Sequence, residues 1–156
     1  MKKFRYLLVC LFVIFDQLVK FIVRKNMMVG DSIDVIGRIF SITYVRNSGA
    51  AFGSLMGKSI ILKFAPIVLV ILMIVLLEKY INSHILFTLS MIFIISGGIG
   101  NLIDRWVLGY VTDMFDFHFW PVFNVADIFV VVGCIILIAF VMFFDKEKEK
   151  EVEWRK

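Results

Sequence analysis

Proline, histidine and cysteine each occur only twice in this chain, against seventeen phenylalanines and ten glycines. Each scarcity excludes something. Cys10 and Cys134 both sit in apolar runs, far apart in sequence. Such a pair makes no disulfide framework and lacks metal-ligand spacing; both are expected to be small apolar packing residues. His84 and His118 are single, without ligand partners at metal spacing, so no metal is expected. Repeats and proline-rich linkers are missing. Charge is also modest: 19% charged residues and a net charge of +4, with no concentrated basic patch. Nucleic acid is therefore not an expected partner, and the basic residues are expected to face lipid headgroups and help set topology.

What the chain does have is apolar surface. It is 61% hydrophobic over 156 residues, where soluble domains are about half apolar. This is the composition of a membrane protein, and the length suits one compact bundle without a separate soluble domain. The N-terminus "MKKFRYLLVCLFVIF" has the basic start and apolar stretch of a signal peptide, but no small-x-small cleavage site follows and the apolar segment runs on to Val23. Bulky Val9 stands where a cut before Cys10 would need a small residue. The segment reads as a retained first span.

Crossing a ~30 Å hydrocarbon core takes about 20 helical residues. Four segments qualify: 6–23, 60–77, 85–103 and 121–144. Lys63 near the start of the second can snorkel to the interface, and Pro66 is a mild kink at most. The tail 145–156, "DKEKEKEVEWRK", alternates in sign and reads as a solvated helical extension or disorder. Four spans leave both termini on one side, so the connections 24–59 and 104–120 share the opposite side. Asp16 and Lys20 lie in the half of span one nearest that side. Asn101, Asp104 and Arg105 close span three there, and Asn124 and Asp127 open span four. The polar groups thus gather in one leaflet as one site. Lys and Arg number nine on the terminal side and six or seven on the other, depending on Lys63. The count leans the termini toward the cytoplasm; Arg24 and Lys25, directly beyond span one, lean the other way.

In the 24–59 connection, "SIDVIGRIFSITYVRNSGAAFG" is rich in β-branched residues and reads as a short strand or hairpin. The small residues of "NSGAAFG" then either let a backbone or ligand approach closely or simply make a turn. In the other connection "LGY" offers a turn back toward the membrane, which would bring Asp113 near Asp127, six residues into span four. Intramembrane carboxylates are expensive and point to function. Two that meet share a proton and their pKa values separate. One can then act as general base on water while its protonated partner polarises a carbonyl and later protonates the leaving amine. That is the arrangement of aspartic proteases, and it needs no metal, cofactor, or Ser or Cys nucleophile.

Other polar residues have plainer readings. Asp16 and Lys20, at i and i+4, form a self-neutralising anchoring pair. Asp104, beside Arg105 at a helix end, reads as a solvated charge. Asn124, one helical turn before Asp127, could orient it. The aromatics of "FHFWPVF" suit an interfacial belt, and the glycines of "SGGIGN" suit close helix packing. A proton- or ion-coupled transporter subunit is the alternative function, although four helices are few for an inverted-repeat transporter and the polar groups stop in one leaflet.

Five motifs in order, "FDQLVK" (15–20), "RNSGAAFG" (46–53), "GGIGNLIDR" (97–105), "GYVTDMF" (109–115) and "FNVAD" (123–127), resemble the bacterial lipoprotein signal peptidases, the signal peptidase II family, over residues 1–144. The resemblance implies a single membrane-embedded aspartyl endopeptidase domain with a small extracytoplasmic β-sheet platform between helices 1 and 2 and a short interfacial helix. It implies an Asp113/Asp127 dyad, with Asn47, Asn101, Arg105 and Asn124 positioning substrate and dyad, and structural support from Asp16, Lys20, Gly97 and Ala126. Asp116 matches no family signature and reads as a solvated neighbour whose charge could influence Asp113. Implied partners are diacylglyceryl-modified prolipoproteins, cut just before the lipidated cysteine, and membrane lipid. The protein is expected as a monomer in the bacterial cytoplasmic membrane, termini inside and site at the outer leaflet.

Overall fold

The computed structural model describes residues 2–49, 59–80 and 84–145. In chain order these form helix α1 (Lys2–Asn26), strands β1 (Ser32–Ile36) and β2 (Phe40–Asn47), helices α2 (Ser59–Lys79) and α3 (Ile85–Val107), strand β3 (Val111–Asp116) and helix α4 (Val125–Phe140), which runs into a π-helical turn at Val141–Asp145. Among the described residues, Lys3–Asn26, Ile85–Val107 and Val125–Phe143 are long and apolar enough to cross a membrane. The expected contents of the charged tail beyond residue 145, and residues 50–53 of "NSGAAFG", lie outside the described residues, as does the Lys63 side chain.

Helix α1 is polar inside and apolar outside. Asp16 and Lys20 are buried with Val9 and Val23, while Leu7, Leu11, Ile14, Leu18 and Phe21 recur at helical spacing on the exposed face. A water-soluble helix has the reverse pattern; an apolar outer face is what lipid favours. Central α3 packs against α1, α2 and α4. Val9, Val70, Leu77, Met91, Ile92, Ile94 and Ile95 make the main core. A smaller core of Val23, Tyr44 and Met114 seats the sheet on the end of α1. Cys10 and Cys134, expected as small apolar packing residues, are free and lie on the outer surface.

Close approach of α3 and α4 depends on glycine. A Cβ at Gly97 would run into the Ala126 carbonyl oxygen and the Val130 side chain, and one at Gly133 would come within 2.9 Å of Ser90 O. Ala126 itself is fully buried. Because the obstacle at Gly97 is backbone, Gly97→Ala must push the helices apart, and we expect a loss of about 2 kcal/mol from overpacking. The check is a thermal unfolding midpoint in detergent; an unchanged midpoint would show that the helices yield freely there.

The expected β-rich segment is a β1–β2 hairpin, paired Ser32 to Thr43 and Ile33 to Ile42. A third strand was not foreseen. The order is β1-β2-β3, all antiparallel, so the sheet between helices 1 and 2 is completed by residues from the connection after α3. The expected interfacial helix has no counterpart among described residues 27–49. The fourth span also differs from 121–144, since the helix begins at Val125. Phe123 pairs instead with Phe115, and Asn124 takes an extended conformation as N-cap. The apolar rings before it concealed this start. Phe117 stacks on Phe123 at 5.9 Å and packs on Phe40 of β2 at 4.9 Å, so part of the presumed aromatic belt covers the sheet.

Candidate active site

Asp113 lies in β3, opposite Val45 of β2, with Asn47 as its diagonal neighbour two residues along that strand. Diagonal pairs on one sheet face are within side-chain reach, and Asn47 Nδ2 donates to Asp113 Oδ2 at 2.9 Å. Asn124 Nδ2 donates to the other oxygen, Oδ1, at 2.6 Å. The carboxyl is 2% exposed. Burial pushes its pKa up to about 6, and the Asp127 charge adds to the rise; hydrogen bonds from Asn124 and Asn47 and the Lys20 ammonium pull the other way. Desolvation disfavours the charged form, and donors to that form favour it.

Asp127 stands in the first turn of α4, not six residues into a helix. It and Asn124 form a reciprocal capping box: Asp127 N donates to Asn124 Oδ1 at 3.0 Å, and Asn124 N donates to Asp127 Oδ2 at 3.1 Å. Such a box satisfies two otherwise orphaned amides. Here it also makes Asn124 the joint between the two aspartates, because the remaining side-chain nitrogen serves Asp113. From α3, Asn101 Nδ2 donates to Asp127 Oδ1 at 2.7 Å, while Asn101 Oδ1 accepts from Asn124 Nδ2 at 3.2 Å and Lys20 Nζ at 3.0 Å.

Behind these groups lies a buried charge cluster. Lys20 Nζ is 3.0 Å from Asp16 Oδ2 and 3.6 Å from Asp104 Oδ2, with all three side chains essentially inaccessible. The anchoring pair is therefore present but not self-contained. Asp16 Oδ1 also accepts from Ala126 N at 2.9 Å, tying α1 to the start of α4, where the helix dipole favours negative charge. Asp104, expected to be solvated, is 1% exposed. It accepts from Thr112 N at 2.8 Å and Gln17 Nε2 at 3.3 Å and lies 3.6 Å from Arg24 Nη1. The residue is thus a fastener between α1, α3 and β3. Asp116 differs from expectation too, being hydrogen-bonded by Thr43 Oγ1 at 3.0 Å and His118 N at 2.8 Å.

Arg105 is half-buried, within electrostatic reach of Asp104, Asp113 and Asp127. On the outer side of Asp127 a groove of about 360 Å³ runs along Ile128 and Val131 beneath Phe117, Phe119 and Trp120. Two carboxylates, one buried and one opening on an apolar groove, with a cation close by, can hold a water and a peptide carbonyl.

Residues 8–143 match the family described as Signal peptidase (SPase) II. The chain belongs to the signal peptidase II family. Among proteins similar to it, the "Lipoprotein signal peptidase" of Halothermothrix orenii is 42% identical over 135 residues, covering 86% of this chain and 92% of that one. That of Caldanaerobacter subterraneus is 49% identical over 132 residues, covering 81% and 88%. A solved structure, described as a bacterial membrane enzyme determined by the in meso method at 2.3 Å, superposes with a TM-score of 0.84 at 32% identity, over 90% of this chain and 88% of that chain. Membership makes it an aspartic endopeptidase of the signal peptidase II type.

Of the residues singled out from this signal peptidase II sequence, Asp113, Asp127, Asn47, Asn101 and Asn124 share one hydrogen-bond network, and Lys20 and Asp16 back it directly. Gly97 and Ala126 meet at the helix contact beneath. Sequence reasoning took Asp104 for a solvated charge and gave Gln17 and Gly100 no role of their own at the site. A signal existed for two of them: Gly97, Gly100, Asn101 and Asp104 fall at i, i+3, i+4 and i+7, on one face of α3. At Gly100, an added Cβ would lie 2.5 Å from Asp16 Oδ2.

Proposed function

We propose that this signal peptidase II removes signal peptides from diacylglyceryl-modified prolipoproteins, cutting before the lipidated cysteine, with Asp113 and Asp127 as its catalytic dyad. One observation carries the dyad: Asn124 binds Asp113 through its side-chain nitrogen and Asp127 through its side-chain oxygen and backbone amide. In this reading residues 1–144 form one monomeric domain of four spans, α2 joining α1, α3 and α4 as a span. Both termini are cytoplasmic, and the sheet and dyad lie at the outer leaflet.

In the reaction, one carboxylate takes a proton from water as the water oxygen attacks the scissile carbonyl carbon, and the protonated partner donates to the carbonyl oxygen. As the tetrahedral diol collapses and the C–N bond breaks, the first carboxyl gives its proton to the leaving nitrogen, and a diol hydroxyl returns a proton to the partner, which restores the dyad. A carboxyl titrating near 6 exchanges protons easily close to neutrality. Asn101 and Asn124 hold the carboxylates in register, Asn47 steadies Asp113, and Arg105 faces the substrate backbone. Asp16, Lys20, Gly97 and Ala126 keep the supporting helices in place.

The location has a physical reason. A cysteine carrying two acyl chains stays at the membrane, and drawing those chains into water costs about 0.8 kcal/mol per CH₂. A dyad at the leaflet boundary cuts the bond where it lies. The apolar groove beside Asp127 favours this reading over an ion-coupled transporter, which would need a polar path.

The dyad is tested by the pH dependence of kcat/KM, which reports groups of the free enzyme. The limb near pH 6 belongs to Asp113 in this account. Asn47→Ala removes a donor that favours the charged carboxylate, so that limb moves to higher pH by about one unit, the worth of a hydrogen bond of about 1.5 kcal/mol to a charged group. A limb that does not move, or moves down, would detach Asp113 from the titration. Asp116→Asn, by contrast, keeps more than about half of wild-type turnover, because its hydrogen bonds hold Thr43 and the His118 loop rather than the dyad, and a neutral acceptor replaces the charge at little cost. An inactive Asp116→Asn enzyme would show that the wrong partner was assigned to Asp127.

A further inference from the structure

Residues 117–122 form a loop with closed ends. Phe123 N donates to Phe115 O at 3.1 Å, and Phe115 N and Met114 N donate to Phe123 O at 2.8 and 2.9 Å. At its centre, Phe119 N donates to Phe117 O at 2.7 Å across His118, whose φ is +63°. A three-residue turn with positive φ is rare and strained for a residue bearing a side chain, and it persists only where surroundings hold it.

The holding groups come from all three strands. His118 N donates to Asp116 Oδ1 at 2.8 Å, and the imidazole Nδ1 lies 3.5 Å from the same oxygen. Imidazole Nε2 is 3.2 Å from Ser41 Oγ. Ser41 is fully buried and gives its own proton to Asp34 Oδ1 at 2.8 Å, which leaves its oxygen to accept from Nε2–H. Thr43 Oγ1 holds the second oxygen of Asp116 at 3.0 Å. None of these contacts touches the dyad. What they fix is the loop, and the loop carries Phe117, Phe119 and Trp120, the aromatic side of the groove that ends at Asp127.

We propose that His118 is a positioning residue for the peptidase: clamped on the sheet by Ser41 and Asp116, it sets the aromatic roof of a groove that takes an acyl chain of the lipidated cysteine. This rests on the lipidated-substrate reading above. Among the described residues lining the groove, Asp127 is the one charged group. Ile128 and Val131 continue it along the exposed, lipid-compatible face of α4, and Phe119 meets Phe117 at 6.1 Å between ring centroids yet stays 82% exposed. An acyl chain beside the reacting cysteine would bury that ring.

The test is steady-state cleavage by the purified full chain of one prolipoprotein, its cysteine carrying either long-chain or short-chain diacylglyceryl. His118→Gly removes the imidazole while tolerating positive φ, so it separates the clamp from turn strain. Ser41→Ala removes the same contact from another element. Each is expected to raise KM for the long-chain substrate about fivefold, the worth of one hydrogen bond, with kcat nearly unchanged and KM for the short-chain substrate unmoved. A wild-type KM in His118→Gly and Ser41→Ala overturns the proposal, as does an equal rise for both substrates or a fall in kcat alone. Failure of the wild-type enzyme to cleave either substrate overturns the functional reading itself.

Discussion

Asp113→Asn and Asp127→Asn should each lower turnover of a lipidated prolipoprotein by about 10³-fold or more, within or beyond the range of a lost general acid or base. An asparagine keeps the shape and one acceptor of the carboxylate but can neither take nor give the proton. The fold should survive both changes. At position 113 the new amide nitrogen would face either Asn47 Nδ2 or Asn124 Nδ2, so one of two hydrogen bonds is lost, at about 1 kcal/mol. At 127 the amide oxygen can face either the Asn124 backbone amide or Asn101 Nδ2, and again one bond goes. Single-turnover cleavage by well-folded variants is the measurement. More than a tenth of the wild-type rate in either variant would remove that aspartate from the dyad.

The second large effect is on stability. Lys20→Met leaves Asp16 and Asp104 buried without the ammonium between them, with Arg24 still 3.6 Å from Asp104. Removing one partner of a buried ion pair costs about 3–5 kcal/mol, because the stranded charge stays desolvated. Neutralising both ends is far milder, so Asp16→Asn/Lys20→Met should recover most of the loss in thermal midpoint. If the double variant is as unstable as the single, the cost lies in packing around the lysine stem. Lys20 also holds Asn101 Oδ1, which in turn aims Asn101 Nδ2 at Asp127. The double variant should therefore regain stability before it regains full activity.

Much of this molecule can be read from the chain because lipid makes simple demands. A helix with Asp16 and Lys20 inside and leucines outside announces both its span and its buried partner surface. Carboxylates at 113 and 127 stand out for the same reason: apolar neighbours leave them no solvent. β-Branched residues marked the β1–β2 hairpin. Strand β3 escaped because six residues holding two acids and one ring carry little periodicity, and their pairing partner lies some seventy positions away in β2. Asp104 escaped because its partners, Thr112 N, Gln17 and Lys20, are contributed by other elements. The late start of α4 was hidden by Phe117 and Phe123, whose apolarity looks alike whether they meet lipid or Phe40 and Phe115. Local chemistry named the reacting groups, and tertiary pairing decided which scaffold holds them.

The central claim is an aspartic peptidase that acts on a lipidated cysteine at the membrane boundary. The most direct measurement is mass-mapped cleavage of one purified prolipoprotein, with and without its diacylglyceryl group, by the wild-type enzyme in a bilayer. The account predicts a single cut immediately before the cysteine, in the lipidated form alone. Equal cleavage of the unlipidated form, or a cut elsewhere, would contradict it.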